Sequence, residues 1–270
     1  MAHCDSAHPY LTVVIATFNA SQFLPRTLQS LAKQPEVFTQ EVEVIIIDGG
    51  STDGTLAIAK SFPFIGTMIS EPDNGIYDAM NKGAELASGR WLQFLNAGDS
   101  FTQGGSLGQA IAGLMRADEK HAQWAIAAAQ NLGGDSGPIR LIPSVPHIWW
   151  RHAYGLQPHC HQATWFRTST FLESGAHSLK YKTADDFDVI LRFGMLTRPY
   201  TTTDVLIDYL GGGISEVSAA MTPHLQHRIR VDRFQLGSFS ERVDLRIGKA
   251  ISTFNRARTV AGRIKSALQI

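Results

Sequence analysis

Residues 42–55 read Val42-Glu43-Val44-Ile45-Ile46-Ile47-Asp48-Gly49-Gly50-Ser51-Thr52-Asp53-Gly54-Thr55. The first six positions form a short apolar run dense in β-branched side chains, the composition of a strand buried on both faces. The run stops at a carboxylate, turns through glycines and restarts as a helix from Thr55 to about Ser61. Strand, glycine-containing polar turn and helix make the unit from which parallel sheets are built.

The same unit recurs on either side. Upstream, Leu11–Ala16 is a second buried-strand run, ending in Thr17-Phe18-Asn19. Ser21 is then placed to cap a helix carrying Phe23, Leu24, Leu28 and Leu31. Downstream, Ile65–Ser70 is a third strand, followed by the turn cluster Glu71–Gly75 and a helix from Ile76 to Ala87. Trp91–Leu95 is a fourth strand, ending in Asn96-Ala97-Gly98-Asp99, and Leu107–Arg116 is helical. The alternation predicts an α/β fold, a mostly parallel central sheet with helices on both faces. Sheets of this kind bind ligands at the carboxyl ends of their strands, which is where the Asp, Asn, Ser and Gly clusters fall.

The remainder is less regular. Residues 123–167 read as strand-like and are rich in Pro, His and Trp. Ala184–Met195 reads as a helix and Thr201–Tyr209 as a strand; after the Gly211–Gly213 loop the chain is helical and basic. The expected organisation is an N-terminal tail (1–10), one α/β domain (11–223) and a helical extension (224–270).

The clusters carry several chemistries. The Asp48–Gly54 turn suits a phosphate near a helix N-terminus, but it matches neither G-x-G-x-x-G nor the P-loop. Asp53 there also reads as a helix-capping charge. Asp99 suits a hard divalent cation shared with a substrate diphosphate, or a cap on the next helix. Asp185, Asp186 and Asp188 put three carboxylates at one helix start; the dipole alone favours them, and crowding would also fit one of them for general-base work. His147, His152, His159, Cys160 and His161 fit no standard zinc spacing, so His161-Gln162 reads as a hydrogen-bonding pair. Trp149 and Trp150 read as core or sheet packing, with sugar stacking as the alternative.

Taken in order, these segments resemble the family 2 glycosyltransferases, inverting nucleotide-sugar enzymes of the GT-A fold. The matching stretches are Val13–Asn19, Ile47–Thr55, Asp73–Gly83, Gly89–Asp99, His161-Gln162-Ala163, Asp186-Phe187-Asp188 and Gly212-Gly213-Ile214-Ser215. The Gly75–Gly83 run and the Asn-x-Gly-Asp ending look most like the branch that builds bacterial polysaccharides, of the colanic-acid type. The resemblance implies that Thr17, Asn19, Asp48, Ser51 and Asp73 line the donor's nucleoside pocket, with Asn81 and Lys82 near the base or diphosphate. It implies Mn²⁺ or Mg²⁺ on Asp99, Asp186 as catalytic base, and His161 and Gln162 near the diphosphate or acceptor. The donor would be a UDP-, GDP- or dTDP-sugar and the acceptor a saccharide, free or lipid-linked. Two positions depart from the family pattern: Asn96-Ala97-Gly98-Asp99 has one carboxylate where Asp-x-Asp is usual, and Asp48-Gly49 stands where two aspartates are common. Binding of a nucleotide sugar without turnover is the competing reading. A nucleotidyltransferase would need a basic glycine-rich loop where Thr17-Phe18-Asn19 stands.

Composition bounds these readings. The chain has 270 residues, 44% hydrophobic and 18% charged, which excludes global disorder and allows one large domain or two small ones. The cysteines, Cys4 and Cys160, make no disulfide framework, and no signal peptide or membrane-spanning run is evident, so a cytoplasmic location is expected. The 24 basic and 24 acidic residues cancel, which argues against a nucleic-acid partner. The balance is uneven: residues 224–270 carry ten basic and three acidic residues, a net of +7, and residues 1–223 a net of −7. Val243, Ile247, Ile251, Phe254, Ala257, Ala261, Ile264 and Leu268 keep helical spacing amid Arg and Lys. Such a helix either lies on an anionic membrane through residues 240–270 or packs its apolar face on the domain.

Overall fold

A computed structural model describes residues 8–133, 139–144, 146–157, 159–211 and 222–267, with side chains of the last helix described to 254. The Gly212–Ser215 motif, Cys4 and the apolar stripe beyond Phe254 lie outside the described residues. One mixed sheet runs through the molecule. Its first half joins β1 (Leu11–Thr17), β2 (Val42–Asp48), β3 (Thr67–Ser70) and β4 (Trp91–Phe94) in the order β3-β2-β1-β4, all parallel. β1 is buried at every position and β2 at all but Glu43, as their apolar runs require.

Alternation sends successive side chains to opposite faces. Val13, Ile15, Val44 and Ile46 meet Leu24, Leu28 and Leu31 of α1 (Leu24–Ala32) and Leu107, Ile111 and Leu114 of α4 (Ser106–Glu119). Val14, Ile45 and Ile47 meet Met80 and Ala84 of α3 (Ile76–Leu86), and Val189, Ile190 and Phe193 of α7 (Asp185–Leu196). α3 packs closely on β1: a Cβ on Gly83 would stand 2.3 Å from Val14 Cγ1. α2 (Thr55–Lys60) follows the β2 turn. α1 starts later than Ser21 would place it. Its cap is Phe23, without a side-chain bond, and the Ser21 N–H instead holds Asp53 of the β2 turn.

Beyond β4 the sheet changes direction. β8 (Thr164–Arg167) pairs antiparallel with β4 and with β6 (Trp124–Asn131). β9 (Tyr200–Tyr209) runs parallel to β6, and the short β5 (Ser100–Phe101) and β7 (Arg140–Ile142) add antiparallel edges. The strand-like reading of 123–167 therefore holds for three segments and fails for a fourth. Trp149–Ala153 is a helix, α5, with Trp149 and Trp150 exposed rather than in the core. α6 (Thr168–Glu173) follows β8.

The chain closes with α8 (Thr222–Phe234) and α9 (Ser238–Ala267). α8 buries Ile229 against Ala153, Tyr181, Ala184 and Leu191. α9 is tied on through Asp244, which accepts from Arg230 Nε at 2.9 Å, from Tyr154 Oη at 2.8 Å and pairs with His227 Nδ1 at 2.6 Å. Of the described part of the apolar stripe, Val243, Ile247 and Phe254 are exposed and Ile251 is half-buried.

Candidate functional site

The register of the parallel strands builds the first wall. Thr17 stands opposite Asp48 and Asp48 opposite Ser70, so three strand ends finish in one row. Asp48 organises that row. Its carboxylate accepts from Thr17 Oγ1 (2.9 Å), Ser70 Oγ (2.7 Å), Ser51 Oγ (2.5 Å) and the Ser51 and Gly50 N–H groups (2.8 and 3.1 Å). Burial raises its pKa, and the hydrogen bonds from Ser51, Ser70 and Thr17 outweigh burial, leaving it below the ordinary carboxyl value. Asn19, with φ of 46°, accepts from the Thr52 N–H at 3.0 Å and donates its own N–H to Ser51 at 2.8 Å. Asp53 accepts from Ser21 N–H and, just ahead of α2, from Thr55 N–H, so it ties two loops together beside the start of that helix, whose cap is Gly54.

The β3–α3 turn forms the next wall. Asp73 accepts the Gly75 N–H at 2.8 Å, and its other oxygen lies so near Gly49 that a Cβ there would come within 2.5 Å. Lys82 pairs with Glu71 at 2.8 Å and Asp78 at 3.7 Å, bracing the turn. Asn81 faces the other way: its amide donates to the His177 carbonyl (2.8 Å) and accepts the His177 N–H (2.9 Å).

The antiparallel direction of β8 explains how a distant segment arrives. A strand antiparallel to β4 begins where β4 ends, so His161-Gln162 lands beside the β4 terminus. The Gln162 carbonyl accepts from Gln93 Nε2 at 2.7 Å, and its side chain accepts from Cys160 Sγ at 3.2 Å. His161 stacks on Phe94, ring centroids 5.4 Å apart, and its buried Nε2 has no partner. Burial lowers its pKa to about 4, so it is neutral at pH 7.

The loop after β4 turns at Gly98, φ 104°, and presents two hard oxygen donors. Asp99 is buried and accepts the Leu210 N–H at 2.9 Å. Asn96 Oδ1 is buried without a hydrogen-bond partner. Among the described residues no group of three or more His, Cys, Asp or Glu could hold a metal alone. That donor set fits Mg²⁺ or Mn²⁺ only as an ion whose other ligands are substrate phosphates and water. His147 and His159 do meet, Nδ1 to Nε2 at 2.9 Å, with the His152 ring beside them, but among the described residues they form no metal-holding group.

The three acids of α7 separate cleanly. Asp185 accepts from Ser178 Oγ at 2.5 Å and the Tyr181 N–H at 3.3 Å. Asp188 is buried between Arg233 and Arg192. Asp186 is partly exposed; it accepts the Phe187 N–H at 2.7 Å, and no Lys or Arg pairs with it among the described residues. Burial lifts its pKa above the ordinary carboxyl value, against the pull of hydrogen bonds from the Phe187 N–H and the Tyr77 phenol. A carboxylate with spare lone pairs and raised basicity can take a proton from a hydroxyl. Ser70 beside Asp48, and Tyr77, His152 and His177 around the α7 acids, were not expected as site residues. Ser70 and Tyr77 were accessible in principle, one ending a strand beside Asp48 and one opening the next helix. His152 touches the Phe187 carbonyl at 3.1 Å only because α5 folds against α7, which no local pattern reveals.

The family model described as Glycosyl transferase family 2 matches residues 12–171. A PGL/p-HBAD biosynthesis glycosyltransferase of Mycobacterium bovis is 32% identical over 196 residues, 69% of this chain and 70% of the relative. A validoxylamine A glucosyltransferase of Streptomyces hygroscopicus is 38% identical over 102 residues, 36% of this chain and 24% of its own. In structure the chain is similar to S. aureus TarS 1–349 in complex with UDP-GlcNAc, with a TM-score of 0.63, 19% identity, and 87% and 70% of the two chains covered. It is similar also to the mannosyltransferase PcManGT from Pyrobaculum calidifontis in complex with GDP-Man and Mn²⁺, with a TM-score of 0.62, 14% identity, and 98% and 82% covered.

Proposed function

The chain belongs to glycosyl transferase family 2, and from that premise we propose that it moves a sugar from a nucleoside diphosphate to a saccharide hydroxyl with inversion. The observation that carries the proposal is the sorting of the α7 acids: Asp185 and Asp188 are taken up by structural partners, and Asp186, beside Tyr77 of α3, retains accepting capacity. In this reading the acceptor's hydroxyl oxygen attacks the anomeric carbon while Asp186 takes its proton, and the nucleoside diphosphate leaves from the opposite side. Thr17, Asn19, Asp48, Ser51 and Asp73 form the donor pocket, Asp48 by holding the loop and Asp73 by facing it. Asn81 and Lys82 act by bracing the walls, the one on His177 and the other on Glu71 and Asp78. Asp99 and Asn96 would hold Mn²⁺ or Mg²⁺, which would neutralise charge on the leaving diphosphate. His161, neutral and apolar-stacked, and Gln162 border the diphosphate or acceptor. The finer part of the reading is a surface-polysaccharide acceptor carried on lipid and met at the cytoplasmic face of a membrane.

The test is a screen of UDP-, GDP- and dTDP-sugars for Mn²⁺-dependent thermal stabilisation, since a ligand bound only by the folded state raises Tm. Turnover is then measured on the donor that shifts it. A donor that stabilises the protein but is never transferred or hydrolysed would favour binding without catalysis, the alternative suggested by the single carboxylate of residues 96–99. No stabilisation by any donor would overturn both.

A further inference from the structure

α9 docks by one face only. Asp244 and Gly248 turn toward Arg230: Asp244 accepts from Arg230 Nη2 at 2.9 Å, and a Cβ on Gly248 would lie 3.0 Å from the same nitrogen. At about 100° per residue, Phe239, Val243, Ile247 and Phe254 share a stripe roughly a third of a turn from that face. All four are exposed, Phe239 at 74% and Phe254 at 63%. Arg242, Arg246 and Lys249 are exposed and border the stripe on its far side; of the acids nearby, Asp244 is buried in its ion pairs and Glu241 is exposed.

A second element, near the point where α9 begins, carries a similar composition. Trp149 and Trp150 of α5 are exposed at 44% and 45%. The Trp149 ring stands edge-on to Phe234, 5.8 Å away, at the α8 terminus just before α9 begins. Arg151 lies over the Trp150 ring at 5.5 Å. Exposed tryptophans beside arginines, next to an apolar stripe edged by basic residues, match the apolar-and-cationic composition of a bilayer interface. No helix among the described residues is long and apolar enough to cross a membrane, so α9 would lie along the surface.

We propose that the exposed face of α9, extended by Trp149 and Trp150, is a docking surface for an anionic lipid bilayer. The apolar stripe enters the acyl boundary while Arg242, Arg246 and Lys249 meet anionic headgroups. The proposal deepens the reading of a lipid-linked acceptor and rests on it only for its biological use. The surface adjoins the transfer site, because the helix that carries Trp149 and Trp150 also carries His152, which touches the Phe187 carbonyl next to Asp186.

The test uses the full chain with vesicles of equal parts phosphatidylglycerol and phosphatidylcholine, and of phosphatidylcholine alone. Sedimentation with the anionic vesicles is expected to exceed that with the neutral ones at least tenfold. Two triple variants, Phe239→Ser/Val243→Ser/Ile247→Ser and Arg242→Glu/Arg246→Glu/Lys249→Glu, are each expected to lose at least tenfold of it while keeping the wild-type Tm. Trp91, Trp124 and Trp165 are buried, so a blue shift of emission on vesicle addition would report Trp149 and Trp150. Trp149→Phe/Trp150→Phe should abolish it. Absence of wild-type sedimentation, or variants that sediment as well as wild type, would overturn the proposal. So would vesicle indifference combined with self-association that the apolar variant abolishes, which would make the face a contact between copies. Vesicle binding without any donor-induced shift in Tm would overturn the transferase reading and leave the docking surface standing.

Discussion

Arg233 of α8 forks Asp188 of α7, Nε to Oδ1 and Nη2 to Oδ2 both at 2.6 Å, two residues from Asp186. Asp188 is fully buried, and Arg192 supplies its second cation at 3.1 Å. Removing Arg233 leaves a buried carboxylate under-compensated, and breaking such pairs costs several kcal/mol. With Arg192 remaining, Arg233→Ala is expected to lose roughly 2–3 kcal/mol in urea unfolding. As a positioning residue it should lower kcat about tenfold with donor KM little changed. Arg233→Lys restores charge without the fork and should recover stability more than kcat.

Asp186 and Asp185 should respond in opposite ways. Asp186→Asn is expected to lower kcat by about 10²–10⁴ while donor-induced stabilisation persists. Asp185→Asn disturbs the bonds to Ser178 and Tyr181, so it should lower stability by about 1–3 kcal/mol and act on kcat less. Because burial raises the Asp186 pKa, kcat in the wild type should fall on acidification at a pH above the ordinary carboxyl range, where the base becomes protonated. The pH–kcat profile of each variant checks this; equal kcat losses would remove the distinction.

Gly49 tests Asp73. Alanine there would collide at 2.5 Å with the tip of a side chain, Asp73 Oδ2, which can rotate away. Gly49→Ala is expected to raise donor KM several-fold with kcat and Tm close to wild type. Gly83→Ala is the contrasting case, since its Cβ meets both methyls of buried Val14 at 2.3 and 3.1 Å. It should cost about 1–3 kcal/mol by overpacking. Urea titrations and donor titrations of the two variants separate the effects.

Acid should unfold the protein through its histidines. Burial holds His147 and His161 at about 4 and His159 at about 3, and pushes His177 well below its ordinary value. The unfolded chain takes up these protons near pH 6.5, whereas the folded chain resists until far lower pH. Stability is therefore full above about pH 6.5 and is lost as pH falls toward 4, by about 1.4 kcal/mol per unit for each such histidine. Tm measured from pH 7.5 to 4.5 should decline steadily below 6.5. His177 sits among Tyr77, Phe94 and Phe171, and His177→Phe should flatten the decline if it folds; a pH-independent wild-type Tm would contradict the assignment outright.

The half of the sheet built by β1 to β4 was legible because its strands are continuous apolar runs broken by polar turns, so periodicity and chemistry coincide. The strand-end row of Thr17 and Asp48 follows from that alone, and Ser70 could have been added to it. Trp149 and Trp150 misled because tryptophan in a Pro-rich segment carries no sign of which side faces water; here a five-residue helix turns them outward. The Asp188–Arg233 and Arg230–Asp244 pairings join residues far apart in sequence or on separate helices, and nothing in spacing or local charge reports which partner a buried carboxylate will meet. The basic tail was legible as amphipathic, but its orientation was decided by Asp244, an acid within a basic helix.

The Arg233–Asp188 fork also has a bearing on how the protein is made. The proposed donor-pocket residues occur by residue 82, whereas the two-pronged cation on Asp188, beside Asp186, is contributed by α8. A growing chain that already has the proposed donor-pocket residues therefore still lacks the Arg233 side of this ion pair until residue 233 has been synthesised.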